Sequence, residues 1–269
     1  MIDLSVVIIT HNSRKLLEKC VGSVMHATRD VEYEVIVIEN GSSDGSAEWL
    51  EGREDIRSII NEKNNGVAPA RNQGLAVAKG RYLLILDVDT LVEPGSLDLL
   101  VSCMDAHPEV GLGAPKLTDG AGELQYTCRY YPTVMSKLYR RIPAEFARKR
   151  LEEEMMQDWD HAGERYVDYV IGACQIFRRE AFEAVGPLDE SIFYGPEDID
   201  YCIRMWRAGW KVMYFPQCVV RHLERRITTR LMSAMTLKHA VGLAHFFLKH
   251  RYVMAPGKLP GSRSGEKQE

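Results

Sequence analysis

No apolar stretch in this chain approaches the length a membrane-spanning helix needs. Its first residues, Met1-Ile2-Asp3-Leu4, have neither the basic region nor the apolar core of a signal peptide. Both lacks point to a cytoplasmic protein, at most peripheral at the inner face of the cell membrane. The six cysteines (Cys20, Cys103, Cys128, Cys174, Cys202 and Cys218) include no CxxC pair. That argues against a zinc ribbon or a disulfide framework and fits a reducing compartment. An excess of either charge is lacking as well: 34 basic against 38 acidic residues leave a formal net value of −4, so nothing global draws the chain to nucleic acid. No internal repeat is visible.

What is present is an ordinary soluble composition, 45% apolar and 27% charged, with enough chain for one large domain or a domain plus an appendage. The most informative stretch is Tyr82-Leu83-Leu84-Ile85-Leu86-Asp87-Val88-Asp89-Thr90. Its unbroken apolar run suits a strand buried on both faces of a parallel sheet. Such a strand ends at the carboxyl edge, where open α/β folds bind ligands. Alternation along an extended segment puts Asp87 and Asp89 on the same side. Adjacent carboxylates repel one another, and a divalent cation carrying diphosphate oxygens would relieve that repulsion. A solvated strand-to-loop corner is the plain alternative.

Around this stretch, residues 4–9, 35–38 and 56–60 read as strands, and 14–27 and 67–79 as helices, with a helix carrying Ala47, Trp49 and Leu50 between them. Strands alternating with helices imply a mostly parallel sheet built from right-handed βαβ units. After Pro94 come a helix, a strand from Val110 and an extended segment at 126–132. Residues 136–166 are highly charged and read as a mobile helical excursion rather than core. Strand-like sequence returns at 167–177, followed by helices at 179–185 and 197–208 and short strands at 212–215 and 219–220 that bring His222 back toward the sheet. Beyond it lies a basic segment in which Leu237, Val241, Ala244 and Leu248 form an apolar stripe at helical spacing. The last residues, rich in Gly, Pro, Ser and Lys, read as disordered.

Loops 10–13, 39–45, 87–90 and 172–175 all follow apolar strands, so their meeting point defines one expected pocket. Within it Glu39 or Asn40 could read a base or a ribose hydroxyl, although Asn40-Gly41-Ser42-Ser43-Asp44-Gly45 alone reads better as a turn and helix cap. Arg71 could neutralise a diphosphate or be a solvated helix cation. The aromatics of Phe193-Tyr194-Gly195-Pro196-Glu197-Asp198 could shield a carboxylate that serves as general base, while the helix dipole alone also explains those acids. His222 by itself reads as a packed or surface imidazole. Cys174 lacks histidine and acid partners nearby and reads as pocket floor rather than nucleophile.

Taken together, these residues resemble a family-2 glycosyltransferase of GT-A fold over roughly residues 4–222. The likeness rests on Thr10-His11-Asn12, Glu39-Asn40-Gly41-Ser42-Ser43-Asp44-Gly45, Asn65-Gly66, Ala70-Arg71-Asn72-Gln73-Gly74 and Asp87-Val88-Asp89. It continues through Val167-Asp168-Tyr169-Val170-Ile171-Gly172-Ala173, Gly186-Pro187-Leu188-Asp189-Glu190, Glu197-Asp198-Ile199-Asp200 and His222. Arg129-Tyr130-Tyr131-Pro132 adds a rhamnosyltransferase-like flavour, while Glu39 stands where aspartate is usual and Gly195 separates Tyr194 from Pro196.

The resemblance implies an α/β, Rossmann-like fold with a nucleotide-sugar-binding half (1–115) and an acceptor-binding half (116–222). A basic, partly amphipathic helical extension (223–255) and a disordered tail (256–269) follow. It implies inverting transfer from a UDP- or dTDP-linked sugar to a glycan or lipid-linked acceptor, in making bacterial surface polysaccharide. Thr10, His11, Asn12, Glu39, Asn40, Arg71, Asp87, Val88 and Asp89 would bind the nucleotide sugar. Asp87, Asp89 and His222 would hold Mn²⁺ or Mg²⁺. Asp198 would be the base, assisted by Glu197, and Asp168, Gly172, Ala173 and Tyr194 would line the acceptor site. The extension suits peripheral membrane contact, a homodimer contact or packing on its own domain. Two rivals are a nucleotidyltransferase acting on sugar phosphates and a non-catalytic membrane-surface module. The first is disfavoured because Thr10-His11-Asn12-Ser13 lacks the glycine-rich basic loop such enzymes carry.

Overall fold

The computed structural model describes residues 2–140, 142–193, 195–223, 234–251 and 261. The elements run β1 (Leu4–Thr10), α1 (Arg14–Ala27), β2 (Tyr33–Asn40), α2 (Ser46–Leu50), β3 (Arg57–Asn61), α3 (Val67–Val77), β4 (Tyr82–Asp87), β5 (Thr90–Val92) and α4 (Ser96–Ala106). They continue with β6 (Val110–Thr118), β7 (Cys128–Arg129), α5 (Val134–Tyr139), α6 (Glu145–Glu154), β8 (Arg165–Tyr166), β9 (Tyr169–Val170) and β10 (Cys174–Arg178). The last are α7 (Arg179–Val185), α8 (Glu197–Arg207), β11 (Lys211–His222) and α9 (Ala234–His250).

One nine-stranded sheet has the order β3-β2-β1-β4-β10-β6-β11-β5, with β8 also paired to β11. β1, β2, β3, β4, β6 and β11 share one direction, whereas β5, β8 and β10 oppose it. β7 and β9 form a separate antiparallel pair. The expected mostly parallel α/β architecture is therefore present. Alternation along β4 sends Tyr82, Leu84 and Leu86 to the core shared with α1 and α4. Leu83 and Ile85 go to the core shared with α3, α7 and α8. Burial on both faces is what demands the continuous apolar run. Pairing of Thr10 with Glu39, Ile9 with Asp87 and His222 with Thr90 brings four strand ends to one sheet edge.

Two expectations are corrected. The charged segment at 136–166 is not an excursion from the core: Ala147 and Met156 are fully buried, and β8 extends the main sheet. Sparse apolar residues beneath a charged outer face anchor it, which composition alone conceals. The stripe on α9 also faces the other way. Val241 and Leu248 are 60% and 78% exposed, while Phe246, Phe247 and His250 are buried. Leu237's side chain and the tail, apart from Gly261, lie outside the described residues.

Ion pairs explain the rotation of α9. Lys249 Nζ reaches Asp189 at 2.6 Å and Asp200 at 2.7 Å, and His250 Nε2 lies 2.8 Å from Asp200. Arg204 Nε is 2.9 Å from the same, wholly buried, Asp200 carboxylate. Burial opposes that charge, but His250, Lys249 and Arg204 hold the Asp200 pKa below its ordinary value. Its contribution is thus complete above about pH 4 and is lost as pH falls through the lowered pKa. Asp200→Ala leaves Arg204 without its carboxylate partner and Lys249 with Asp189 alone, and is expected to cost about 3 kcal/mol in urea unfolding. A change near zero would show that the Asp200 pairs do not hold α9 in place.

Candidate active site

β4 ends at Asp87, and Val88 and Asp89 form a tight turn into β5. Thr90 Oγ1 donates to the Asp87 carbonyl at 2.7 Å, and Leu223 N donates to the Asp89 carbonyl at 2.8 Å. Strand alternation is therefore not what brings the two aspartates together. The turn does so, and β11 delivers His222 beside it. Ligand atoms of Asp87, Asp89 and His222 all lie within 4.8 Å of one another, with His222 Nε2 3.5 Å from Asp89 Oδ1. Val88 leans on the core beside α1 and α4.

Sequence reasoning missed Gln125, which lies between β6 and β7. Its Nε2 donates to the His222 carbonyl at 2.9 Å, leaving Oε1 to accept from His222 Nδ1, also at 2.9 Å. This two-point clamp puts the ring proton on Nδ1 and leaves the Nε2 lone pair facing the aspartates. Two carboxylates and an imidazole nitrogen form a donor set suited to Mn²⁺ or Mg²⁺.

Arg71 lies beneath this edge, 4% exposed. Its Nη2 donates to Asp87 Oδ1 at 2.7 Å and to the Gly172 carbonyl at 2.8 Å, while Nη1 reaches Glu197 Oε1 at 3.3 Å. Burial opposes its charge, but Asp87, Glu197 and Asp198 outweigh that and hold the pKa above the ordinary guanidinium value. Arg71 is therefore not the solvated helix cation that is one of its two expected readings, but a buried one that joins Asp87 to Glu197.

Gly172 and Ala173 act through their backbone. Gly172 N donates to Asp198 Oδ2 at 3.1 Å, and the Ala173 carbonyl accepts from Asp87 N at 2.9 Å. A Cβ at Gly172 would stand 2.9 Å from Arg71 Nη1, which Asp87, Glu197 and the Gly172 carbonyl hold in place, so glycine makes room for the guanidinium. Asp198 also accepts from Ile199 N at 2.7 Å. Burial is the main cause that raises the Asp198 pKa. Burial and the neighbouring Asp198 charge likewise push Glu197 upward. Asp168 is 3% exposed and accepts from Tyr131 N at 3.2 Å, so it braces the segment between β7 and α5. Tyr194 lies outside the described residues.

At the end of β2, Glu39 and Asn40 organise the neighbouring loops. Glu39, 1% exposed, accepts from Ser42 N at 2.7 Å and Gly41 N at 3.3 Å. Asn40 Nδ2 donates to Asn64 Oδ1 and the Gly66 carbonyl, and its Oδ1 accepts from Asn61 Nδ2 and Asn65 N. Its amide is spent inside the protein. Asn12 is exposed and accepts from Ser43 N at 2.9 Å, and His11 Nδ1 lies 3.0 Å from the Asn40 carbonyl. These side chains tie the first two loops together and stand at the rim. Thr10 is buried, and its Oγ1 has no hydrogen-bond partner among the described residues.

The glycosyl transferase family 2 pattern matches residues 5–186. The chain belongs to glycosyl transferase family 2. This glycosyltransferase is 27% identical to the N-acetylglucosaminyl-diphospho-decaprenol L-rhamnosyltransferase of Mycobacterium tuberculosis, over 93% of this chain and 85% of that protein. It is 28% identical to the pre-mycofactocin glycosyltransferase of the same organism, over 96% of this chain but 50% of the relative. Among solved structures, GalNAc-T7 with UDP, GalNAc and Mn²⁺ superposes with a TM-score of 0.66 at 22% identity, over 89% of this chain and 47% of that one. The mannosyltransferase PcManGT from Pyrobaculum calidifontis, with GDP-Man and Mn²⁺, gives 0.60 at 21%, over 91% and 63%. The glycosyltransferase thus spans about half to two thirds of those two chains, and the likeness shows the GT-A fold. The expected family, fold and enzyme class are all borne out, which sets aside the nucleotidyltransferase and non-catalytic alternatives. No helix among the described residues is long and apolar enough to cross a membrane.

Proposed function

We propose that the enzyme moves a sugar, rhamnose by likeness to its mycobacterial relative, from a UDP- or dTDP-linked donor to a hydroxyl of a glycan or lipid-linked acceptor, inverting the anomeric centre. The observation that carries this reading is the joining of the Asp87–Asp89–His222 cluster to Asp198 through Arg71 and Gly172. Asp89 and His222, with Asp87 beside them, would hold the cation. A bound Mn²⁺ or Mg²⁺ would supply Lewis-acid stabilisation of the departing diphosphate. Asp198 takes the proton of the acceptor hydroxyl as its oxygen attacks the anomeric carbon and the bond to the diphosphate breaks. Arg71 fixes Asp87 and Glu197 without touching the donor. Cys20 and Cys174, the thiols beside Asp87, are buried, and burial pushes both well above the ordinary thiol range. Neither offers the nucleophile that a covalent, retaining route would need.

A thermal-shift panel of nucleotide sugars with Mn²⁺ or with EDTA tests the donor reading. At a ligand concentration of about 100 Kd, binding to the native state adds about 2.7 kcal/mol. The expected result is a rise in Tm for one nucleotide-diphosphate sugar with Mn²⁺ and none with EDTA. Equal shifts in EDTA would contradict the metal assignment. Gln125→Leu should weaken Mn²⁺ binding by roughly 10- to 100-fold, because the freed imidazole can present either tautomer. Calorimetric titration of Mn²⁺ reads this directly, and an unchanged affinity would remove Gln125 from the site.

A further inference from the structure

Cys103 of α4 and Cys218 of β11 are 115 residues apart in sequence, yet their sulfur atoms lie 3.9 Å from one another. Neither thiol belongs to the metal cluster or to the carboxylates around Asp198. The two elements are fastened together just beyond the pair, where Val219 N donates to Ser96 Oγ at 3.1 Å. The register of β11 on β6 jumps from Phe215–Pro115 to Val219–Lys116, so Cys218 sits in a bulge outside that ladder. Backbone in such a bulge shifts without giving up a ladder hydrogen bond.

The surroundings of this pair differ from those of the other cysteines. Cys103 is 7% exposed, whereas each of the other five thiols is at 1% or below. Its cover is polar: the exposed Gln217 donates through Nε2 to Cys103 Sγ at 3.1 Å, and the same amide reaches the exposed Glu164. His107 Nε2 lies 3.0 Å from the other Glu164 oxygen. Only a layer of solvated side chains thus separates Cys103 from water. Donation from the Cys218 thiol and the Gln217 amide holds Cys103 below the ordinary thiol value against burial. The same contact, with burial, pushes Cys218 upward. Burial pushes Cys20, Cys128, Cys174 and Cys202 upward as well. Thiolate character therefore collects on the sulfur nearest the surface, with a protonated thiol in contact with it.

We propose that Cys103 and Cys218 form a reversible thiol–disulfide couple that a peroxide closes, with Cys103 as the attacking thiol and Cys218 as the resolving one. In the first step the Cys103 thiolate forms an S–O bond to one peroxide oxygen as the O–O bond breaks. The departing hydroxide takes a proton from solvent and leaves as water. In the second step the Cys218 sulfur attacks the sulfenic sulfur and the S–O bond breaks, the hydroxyl leaving with the Cys218 proton as a second water. Two thiols are oxidised and one peroxide is reduced. A disulfide brings its sulfurs to about 2.05 Å, so the pair must close by roughly 2 Å, which side-chain rotation and the bulge at Cys218 supply. At rest all six cysteines are free, as a reducing compartment keeps them. The closed bond staples α4 to the strand that ends at His222.

Thiol titration in denaturant and peptide mapping, before and after native full-length protein meets hydrogen peroxide, test the proposal. Oxidation is expected to consume two of the six free thiols, to yield one peptide pair joined through Cys103 and Cys218, and to be undone by dithiothreitol. Cys218→Ser should leave Cys103 as a sulfenic acid that dimedone traps, whereas Cys103→Ser should leave Cys218 unlabelled. The oxidised wild type should melt at a higher temperature than the reduced one, because closing a long loop constrains the unfolded chain. The wild-type mapping and melting need no substitution, so they decide the matter even if a serine variant fails to fold. Retention of all six thiols overturns the proposal, as does a cross-link between any other pair or oxidation of Cys103 to a sulfinic acid with no cross-link. Dimedone labelling of Cys218 in Cys103→Ser overturns the assigned roles. A cross-linked chain that melts lower than the reduced one overturns the fit of this bond to the native packing.

Discussion

Asp89→Ala is expected to lower metal-dependent turnover on the order of 10³-fold or more, because a metal at a departing diphosphate supplies several kcal/mol of charge stabilisation. The substitution is a clean one. The turn holding Asp89 is fixed through its carbonyl, which accepts from Leu223 N, and through Thr90 Oγ1 on the Asp87 carbonyl. The carboxylate can therefore go while the backbone stays. Asp87→Ala is a poorer probe, since it also strips the buried Arg71 of its 2.7 Å ion pair. Mn²⁺ titration followed by single-turnover transfer separates a lost cation from lost chemistry. Weakened Mn²⁺ binding with collapsed turnover is the expected pair, and wild-type values for both would refute the cation site.

The local sequence reveals where strands end more readily than what their terminal side chains do. The carboxyl-edge cluster is readable because buried parallel strands must be apolar until they stop, so Asp87 announces the edge by ending such a run. Glu39 and Asn40 stand at an equivalent edge, yet their polar atoms are consumed by backbone groups of residues 41, 42, 65 and 66. A polar residue at a strand end looks the same in sequence whether it faces a ligand or braces a loop. Gln125 carries no sequence signal, because its role depends on a contact with His222 that lies 97 residues away. The α9 stripe misleads for a related reason. Helical periodicity identifies an apolar face, but the paired charges of Asp189, Asp200, Lys249 and His250 decide which face is buried.

Asp198→Asn should leave Mn²⁺-dependent donor binding intact while lowering transfer by roughly 10²- to 10⁴-fold, the usual contribution of a positioned base. Asp198 accepts backbone N–H groups from Gly172 and Ile199, and it is removed from the three-ligand cluster. Its loss therefore does not reach the donor through the cation. The pH dependence has a definite sign. A base works deprotonated, and burial raises both Asp198 and its neighbour Glu197. The acid limb of kcat/KM should consequently lie above the ordinary carboxylate value of about 4, with activity falling as pH drops through the raised pKa. Glu197→Gln distinguishes the two carboxylates. It removes the charge that offsets Arg71, whose guanidinium lowers the Asp198 pKa, and leaves the Asp198 oxygens and their backbone donors in place. That variant should shift the acid limb downward and retain measurable transfer, whereas Asp198→Asn should flatten the limb at a far lower rate. If the asparagine variant kept both the wild-type rate and the wild-type acid limb, the proton would have to leave by another group.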